Sequence, residues 1–182
     1  MGRPKALVEV DGVPLVLRAL AVLSGGGAAP VVVVLGAEAE AVRAVLPPKV
    51  RAVEAPDWAD GMGASLRAGL AVLEAVDGAL AAVVHLVDLP GVPAAVVARL
   101  TAAGGDRDVL ARAAYGSRPG HPVLIGRAHW PGVRAAAHGD AGARGYLAGR
   151  PDVRLVECGD LADPDDVDTP DQLRAFLSRA DP

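Results

Sequence analysis

Apolar residues come in short β-branched runs that alternate with longer Ala/Leu-rich stretches, the pattern of a parallel sheet covered by helices. The run Val31-Val32-Val33-Val34-Leu35 is apolar at every position between Pro30 and Gly36, as a strand covered on both faces requires. Residues 37–46 then read as a helix stopped by Pro47-Pro48, and 50–53 as a short strand. Residues 62–76 read as a helix with Leu66, Leu70 and Leu73 on one stripe. A strand over 80–87 and a helix over 94–103, ended by Gly104-Gly105, follow. In the second half the pattern predicts strands at 109–115 and 122–125 separated by a loop over 116–121. Helices at 128–137 and 143–149, a strand at 153–156 and a closing helix at 170–179 complete it. Thr169 is the N-cap of that last helix and Pro170 its first residue. Near the start, Asp11-Gly12 marks the turn of a small hairpin that leads into a helix at Pro14. No repeat, low-complexity linker or charge run divides the sequence, so residues 1–182 are expected to form one α/β domain.

Composition narrows this reading. Apolar residues make up 52% but aromatics only 3%, so the core must be built from Ala, Val and Leu, packing through many small contacts. A net charge of −4 argues against a broad nucleic-acid surface, yet leaves room for a local loop that binds a small anion. The lone Cys158 cannot form an internal disulfide, and with no neighbouring cation it reads as a buried, inert thiol. No apolar run reaches the roughly 18–20 residues of a membrane span. The first residues also lack the apolar stretch of a signal peptide, so a soluble cytoplasmic protein is expected.

Candidate chemistry concentrates at strand ends, where open α/β sheets bind ligands. Gly2-Arg3-Pro4-Lys5 carries two cations on a short rigid stretch, which is either a phosphate contact or a frayed, solvated end. Asp88, in Leu86-Val87-Asp88-Leu89-Pro90-Gly91, is a carboxylate after a buried strand, suited to a helix cap or a Mg²⁺ ligand. The stretch from Asp57 through Trp58, Asp60, Gly61 and Gly63 to Ser65 opens a helix whose N-terminal end could receive a phosphate, base or ribose. The competing reading is simple capping by Asp60, with Trp58 packed as a lid on the core. Lacking the third glycine, this stretch is a poor dinucleotide fingerprint. Of the acidic cluster Asp160, Asp163, Asp165, Asp166 and Asp168, only Asp168 abuts a capped helix start, and paired with Asp88 it would complete a metal site. His85 reads as a satisfied core histidine, while His129 and His138 fit no metal-ligand pattern.

In order along the chain, these segments resemble the molybdenum-cofactor nucleotidyltransferases, the MobA/MocA-like branch of the GT-A-like NTP transferases. The resemblance rests on Met1-Gly2-Arg3-Pro4-Lys5-Ala6-Leu7, Trp58-x-x-Gly61-Met62-x-x-Ser65-Leu66-x-x-Gly69 and Asp88-Leu89-Pro90. It continues through Gly120-His121-Pro122-Val123, Gly139-Asp140-x-Gly142-Ala143-Arg144 and Asp166-Val167-Asp168-Thr169-Pro170. The Pro-Lys pair and the Gly-His-Pro element are closer to the cytidylyltransferase side than to the guanylyltransferase side. The resemblance implies a three-layer, mostly parallel, Rossmann-like sheet. It also implies transfer of CMP, or another NMP, from an NTP to molybdopterin with release of pyrophosphate. CTP is favoured over GTP, Mg²⁺ is the cofactor, and a molybdoenzyme or its chaperone is the implied protein partner. Lys5 and Asp88 would be catalytic, and Gly2, Arg3, Lys5, Gly61, Ser65 and Asp88 would bind the nucleotide. Gly120, His121 and Pro122 would face the second substrate, and Asp88 and Asp168 would hold the metal.

Three departures stand out. Ala55 replaces an Asn common in relatives, and Leu89 a Met or Gln. The family also opens with a central strand and a Leu-Ala-Ala-Gly-x-x-x-Arg loop ending at the Met-Gly that matches Met1-Gly2. The expectation is that the natural protein starts upstream, with Met1 an internal methionine. A chain starting at Met1 would then be unstable or inactive. Each unsatisfied backbone group costs about 1–3 kcal/mol, against a total stability of about 5–15. The alternatives are a related NTP transferase acting on another phosphorylated metabolite, or a non-catalytic binding protein on the same fold.

Overall fold

The computed structural model describes residues 4–162, 164–167 and 169–180. Asp11 and Gly12 both take left-handed backbone, φ 53° and 72°, and form the tight turn that their residue types favour. That turn joins β1 (Glu9–Val10) to antiparallel β2 (Val13–Pro14), and α1 (Leu15–Gly25) follows directly. The all-apolar run becomes β3 (Val32–Leu35), paired in parallel with β4 (Arg51–Glu54) after α2 (Ala39–Val45). The chain continues through α3 (Met62–Glu74), β5 (Ala81–Val84), α4 (Ala94–Ala102), β6 (Leu110–Tyr115) and β7 (Arg118–Gly126). It ends with α5 (Trp130–Ala136), α6 (Arg144–Leu147), β8 (Arg154–Glu157) and α7 (Pro170–Ala180).

The second sheet has the order β5-β7-β6-β8. Because β7 is antiparallel to both β5 and β6 while β8 is parallel to β6, strands β5, β6 and β8 share one direction and only β7 opposes it. The arrangement is α/β and mostly parallel, as the alternation predicts. Neighbouring residues of β7 show how the layers form, since successive strand residues face opposite sides. Leu124 packs with Leu100 of α4, and Ile125 packs with Leu70 of α3 and Trp130 of α5. Helices therefore cover both faces. Trp130 is fully buried, and its indole N–H donates to the Ile125 carbonyl at 2.9 Å, satisfying the one polar group of the largest core side chain. Residues 32–34 of β3 and 81–84 of β5 line one elongated cavity of about 720 Å³, walled also by Leu20, Leu23, Leu66 and Leu73. Among the described residues no helix is long and apolar enough to cross a membrane.

Two expected boundaries move. β5 stops at Val84, short of the expected 87, at the point where its partner strand reaches Pro122. The loop expected over 116–121 shrinks to Gly116-Ser117, both with positive φ, and β7 already begins at Arg118. Glu157 locks this turn by accepting from the Gly116 and Ser117 N–H groups, at 3.0 and 3.2 Å. The expected cap of the last helix is present as a reciprocal box. Gln172 N–H donates to Thr169 Oγ1 at 3.2 Å, and Thr169 N–H donates to Gln172 Oε1 at 2.8 Å.

Candidate active site

Where β5 ends, the chain leaves the sheet and carries Asp88 to the rim of the strand ends, the edge at which this class of fold binds ligands. The Asp88 carbonyl accepts from the Val167 N–H at 2.9 Å, tying the segment before α7 to the same spot. The Asp88 carboxylate accepts from Lys5 Nζ at 3.1 Å, and Lys5 opens a single 3₁₀ turn, Lys5–Leu7, at the front of the chain. The lysine side chain is 41% exposed and the aspartate 20%. An ion pair this open to water stabilises the fold by about 1 kcal/mol or less. Packing does not call for it, and it leaves a cation and an acceptor facing solvent together.

The Gly-His-Pro element lies beside it, in strand rather than in loop. Opposite β6, the register jumps from Arg112↔Val123 to Ala114↔Pro119, so Gly120, His121 and Pro122 together face Ala113 alone. Such a bulge bends a strand and re-aims its side chains. Two β6 side chains hold it. Arg112 donates through Nε and Nη2 to the Gly120 carbonyl, at 3.3 and 3.2 Å, and the Tyr115 hydroxyl donates to the His121 carbonyl at 2.7 Å. Gly120 leaves room for the Tyr115 ring, since a Cβ there would stand 2.9 Å from Tyr115 Cε2. Burial pushes the Tyr115 phenol up to about 12, so it stays a donor across the physiological range.

The glycine-bearing loop opens α3, although Asp60 does not cap it. Asp140, far along the chain, accepts from the Met62 N–H at 3.4 Å. Gly61 has φ 103°, and a Cβ on it would lie 2.6 Å from Asp140 Oδ1. A Cβ on Gly63 would lie 2.8 Å from the Ala137 carbonyl. Both glycines thus let the 137–140 stretch sit against the helix start. Trp58 is 46% exposed, so it is no lid over the core. Ser65, Gly142, Ala143 and Arg144 line the cavity beside this junction.

The histidine near the site is not the satisfied core residue expected. His85 Nδ1 is shielded from solvent and has no hydrogen-bond partner among the described residues. It lies just past the end of the β5 ladder, where the strand pattern breaks, and it lines the same cavity as His121. Burial, reinforced by His121 nearby, holds His85 at about 4; Asp88 pulls the other way but loses. Burial and the Arg112 charge likewise hold His121 at about 4. Both rings are neutral at pH 7, so each offers one N–H donor and one acceptor nitrogen. The remaining histidine contacts are structural. His129 bridges the Tyr146 hydroxyl at 2.9 Å and the Asp108 carbonyl at 3.0 Å.

The structure brings together Lys5, Asp88 and the strand bulge; Ser65 lines the cavity, while Gly61 packs against Gly139 and Asp140 at the start of α3. Gly2, Arg3 and Asp168 lie outside the described residues, as does Asp163. Asp160 is committed elsewhere, in a two-pronged pair with Arg99 at 2.5 and 2.9 Å. Cys158 is buried, with its thiol pushed up by burial. A divalent ion completed by substrate phosphates needs only one or two protein carboxylates. Asp88 meets that need. Among the described residues no group of three or more His, Cys, Asp or Glu side chains could form an all-protein cage. The donor set fits an ion shared with substrate.

Arg112, Arg144 and Asp140 escaped sequence reasoning. Only the spacing Gly139-Asp140-x-Gly142-Ala143-Arg144 hinted that the last two belong to the site.

Comparison with known proteins agrees with this architecture. The sequence is 40% identical over 188 aligned residues to nicotine blue oxidoreductase of Paenarthrobacter nicotinovorans, covering 97% of this chain and 90% of that protein. The crystal structure of Rv0371c from Mycobacterium tuberculosis H37Rv superposes with a TM-score of 0.81 at 28% identity, covering 98% of this chain and 90% of that one. A second structure of Rv0371c, in complex with manganese, superposes with a TM-score of 0.79 at 29% identity, over 96% and 91% of the two chains. The MobA-like NTP transferase domain matches residues 1–155. With that match spanning most of its length, the chain belongs to the MobA-like NTP transferase family, a family of nucleotidyltransferases.

Proposed function

We propose that the chain transfers a nucleoside monophosphate from an NTP, with CTP favoured over GTP, to the phosphate of molybdopterin. A phosphate oxygen of the acceptor forms a bond to the α-phosphorus, the bond from that phosphorus to the β-bridging oxygen breaks, and pyrophosphate leaves with the electron pair. No protein nucleophile is needed, so rate comes from positioning and charge neutralisation. Lys5 and Asp88 are the catalytic pair. The Lys5 ammonium turns from Asp88 to the triphosphate, and Asp88, together with Asp168, would hold Mg²⁺. When bound, that ion supplies charge neutralisation on the phosphate oxygens as bonds change. Gly2, Arg3, Gly61 and Ser65 contact the nucleotide, and Gly120, His121 and Pro122 face the acceptor. A molybdoenzyme or its chaperone would receive the product.

The observation that carries this reading is the Lys5–Asp88 pair at 3.1 Å, poised beside a neutral histidine on a strand bulge. The manganese found in the related mycobacterial structure supports a divalent ion. Incubation with molybdopterin, Mg²⁺ and each NTP, followed by pyrophosphate release, tests it. Release with CTP exceeding that with GTP is expected, and no release with any NTP would overturn it.

One observation favours a second reading. The relative at 40% identity is named an oxidoreductase. On that reading the nucleotide held at the α3 end is an electron donor, a reduced nicotinamide or flavin nucleotide. A pigment such as nicotine blue then occupies the acceptor side. Bleaching of nicotine blue by the reduced nucleotide, without pyrophosphate release, would favour it.

A further inference from the structure

Two arginines reach the acceptor side of the cavity from different elements: Arg112 from β6, and Arg144 from the first turn of α6. Neither has a carboxylate partner among the described residues. Arg112 is half-buried and spends Nε and Nη2 on the Gly120 carbonyl, a neutral acceptor, while Arg144 makes no hydrogen bond there. They stand close enough for Arg144 to help burial push Arg112 below its ordinary range. Arg144 also depresses His121, as Arg112 does. Asp88, the acid that acts on both buried histidines, is already joined to Lys5. Two cations lining one cavity, with no carboxylate partner for either among the described residues, destabilise the fold. Such an arrangement is kept where a ligand supplies the missing charge. Guanidinium forks match the paired oxygens of a phosphate, and a neutral histidine adds one more donor.

We infer that Arg112, Arg144 and His121 form a clamp for the phosphate monoester of the acceptor, separate from the triphosphate contact at Lys5. Arg112 does two jobs, since the hand that holds the Gly120 carbonyl also aims the fork. Arg144 closes the clamp from the far wall. The assignment rests on the Gly-His-Pro side being the acceptor side, and it names the group recognised there: a terminal phosphate dianion, whatever organic body carries it.

Inorganic phosphate is the probe. Titrated into the full chain, it should shift the His121 ring resonances while leaving those of His129, outside the cavity, in place. Arg144→Ala removes an exposed side chain that makes no hydrogen bond or ion pair among the described residues, and it relieves the repulsion with Arg112, so it should not lower the melting temperature. It should weaken phosphate binding about tenfold, the loss of one charged hydrogen-bonding group. Arg112→Lys keeps charge but loses the fork, and should weaken binding while also disturbing the bulge. In turnover, Arg144→Ala should raise KM for the phosphorylated acceptor with KM for the NTP unchanged. Unaltered phosphate binding in Arg144→Ala would overturn the clamp, as would a loss confined to NTP affinity. Phosphate binding at His121 without any nucleotidyl transfer would leave the clamp standing and remove the transferase reading. Transfer with no phosphate response at His121 would do the reverse.

Discussion

Asp88 and the two buried histidines make separable demands on the molecule. The Lys5–Asp88 pair adds little to stability because water reaches it, so Asp88→Asn should shift unfolding by about 1 kcal/mol or less. Its turnover should fall about a hundredfold or more, since a preorganised charge at the reacting phosphates is lost. Urea melts run beside a pyrophosphate assay would separate the two effects. The histidines, beside any role in binding, act on stability. His85 and His121 sit at about 4 in the fold against 6.5 when unfolded, so between those values the unfolded chain binds more protons. Their contribution is fully present above pH 6.5 and is lost as pH falls toward 4. Thermal melts from pH 7 to pH 4.5 should show this fall, and His85→Asn should flatten it. An unchanged slope in that variant would contradict the assignment. Sequence alone singled out Lys5, Asp88 and His121 because each stands in a short motif. It misread His85 as satisfied, since nothing local reveals that β5 ends at Val84, one residue before it.

At the scale of elements, most boundaries were legible because period and punctuation agree. The Asp11-Gly12 hairpin turn, the all-apolar β3 and the Thr169 capping box are local signals, and local geometry realises them. Thr169→Ala should therefore cost about 1 kcal/mol, read as a lower urea midpoint, with α7 the segment that frays. Register and long-range contact are what periodicity cannot carry. Gly120 and His121 of the bulge fall in the expected loop and only Pro122 in the expected strand, and the capping of α3 by Asp140 joins residues 78 apart in sequence. These contacts explain why the glycines are where they are. Gly61→Ala forces a side chain into φ 103° and within 2.6 Å of Gly139 and Asp140. Strain and overpacking together should cost about 2–5 kcal/mol. Gly120→Ala meets only the Tyr115 ring edge, so it should cost about 1–3 kcal/mol while still changing acceptor binding through the bulge. Equal losses in the two variants would argue against this division.

The whole molecule is an α/β frame whose strand ends gather segments from the front, middle and far end of the chain. Its layered plan was readable from alternation, while the convergence of Arg112 and Arg144 was not, because nothing in either neighbourhood announces the other. Family membership limits the chemistry to a nucleotide-binding site with an acceptor beside it, and it leaves two classes of partner to be told apart. The most direct test is one incubation of the chain with CTP labelled at the α-phosphate, molybdopterin and Mg²⁺. Label in the pterin product and pyrophosphate would be followed together, for the chain itself and for Asp88→Asn. The account predicts labelled pterin and pyrophosphate in equal amounts, both suppressed about a hundredfold in Asp88→Asn. Absence of both with every NTP, alongside bleaching of nicotine blue that Asp88→Asn leaves intact, would contradict it.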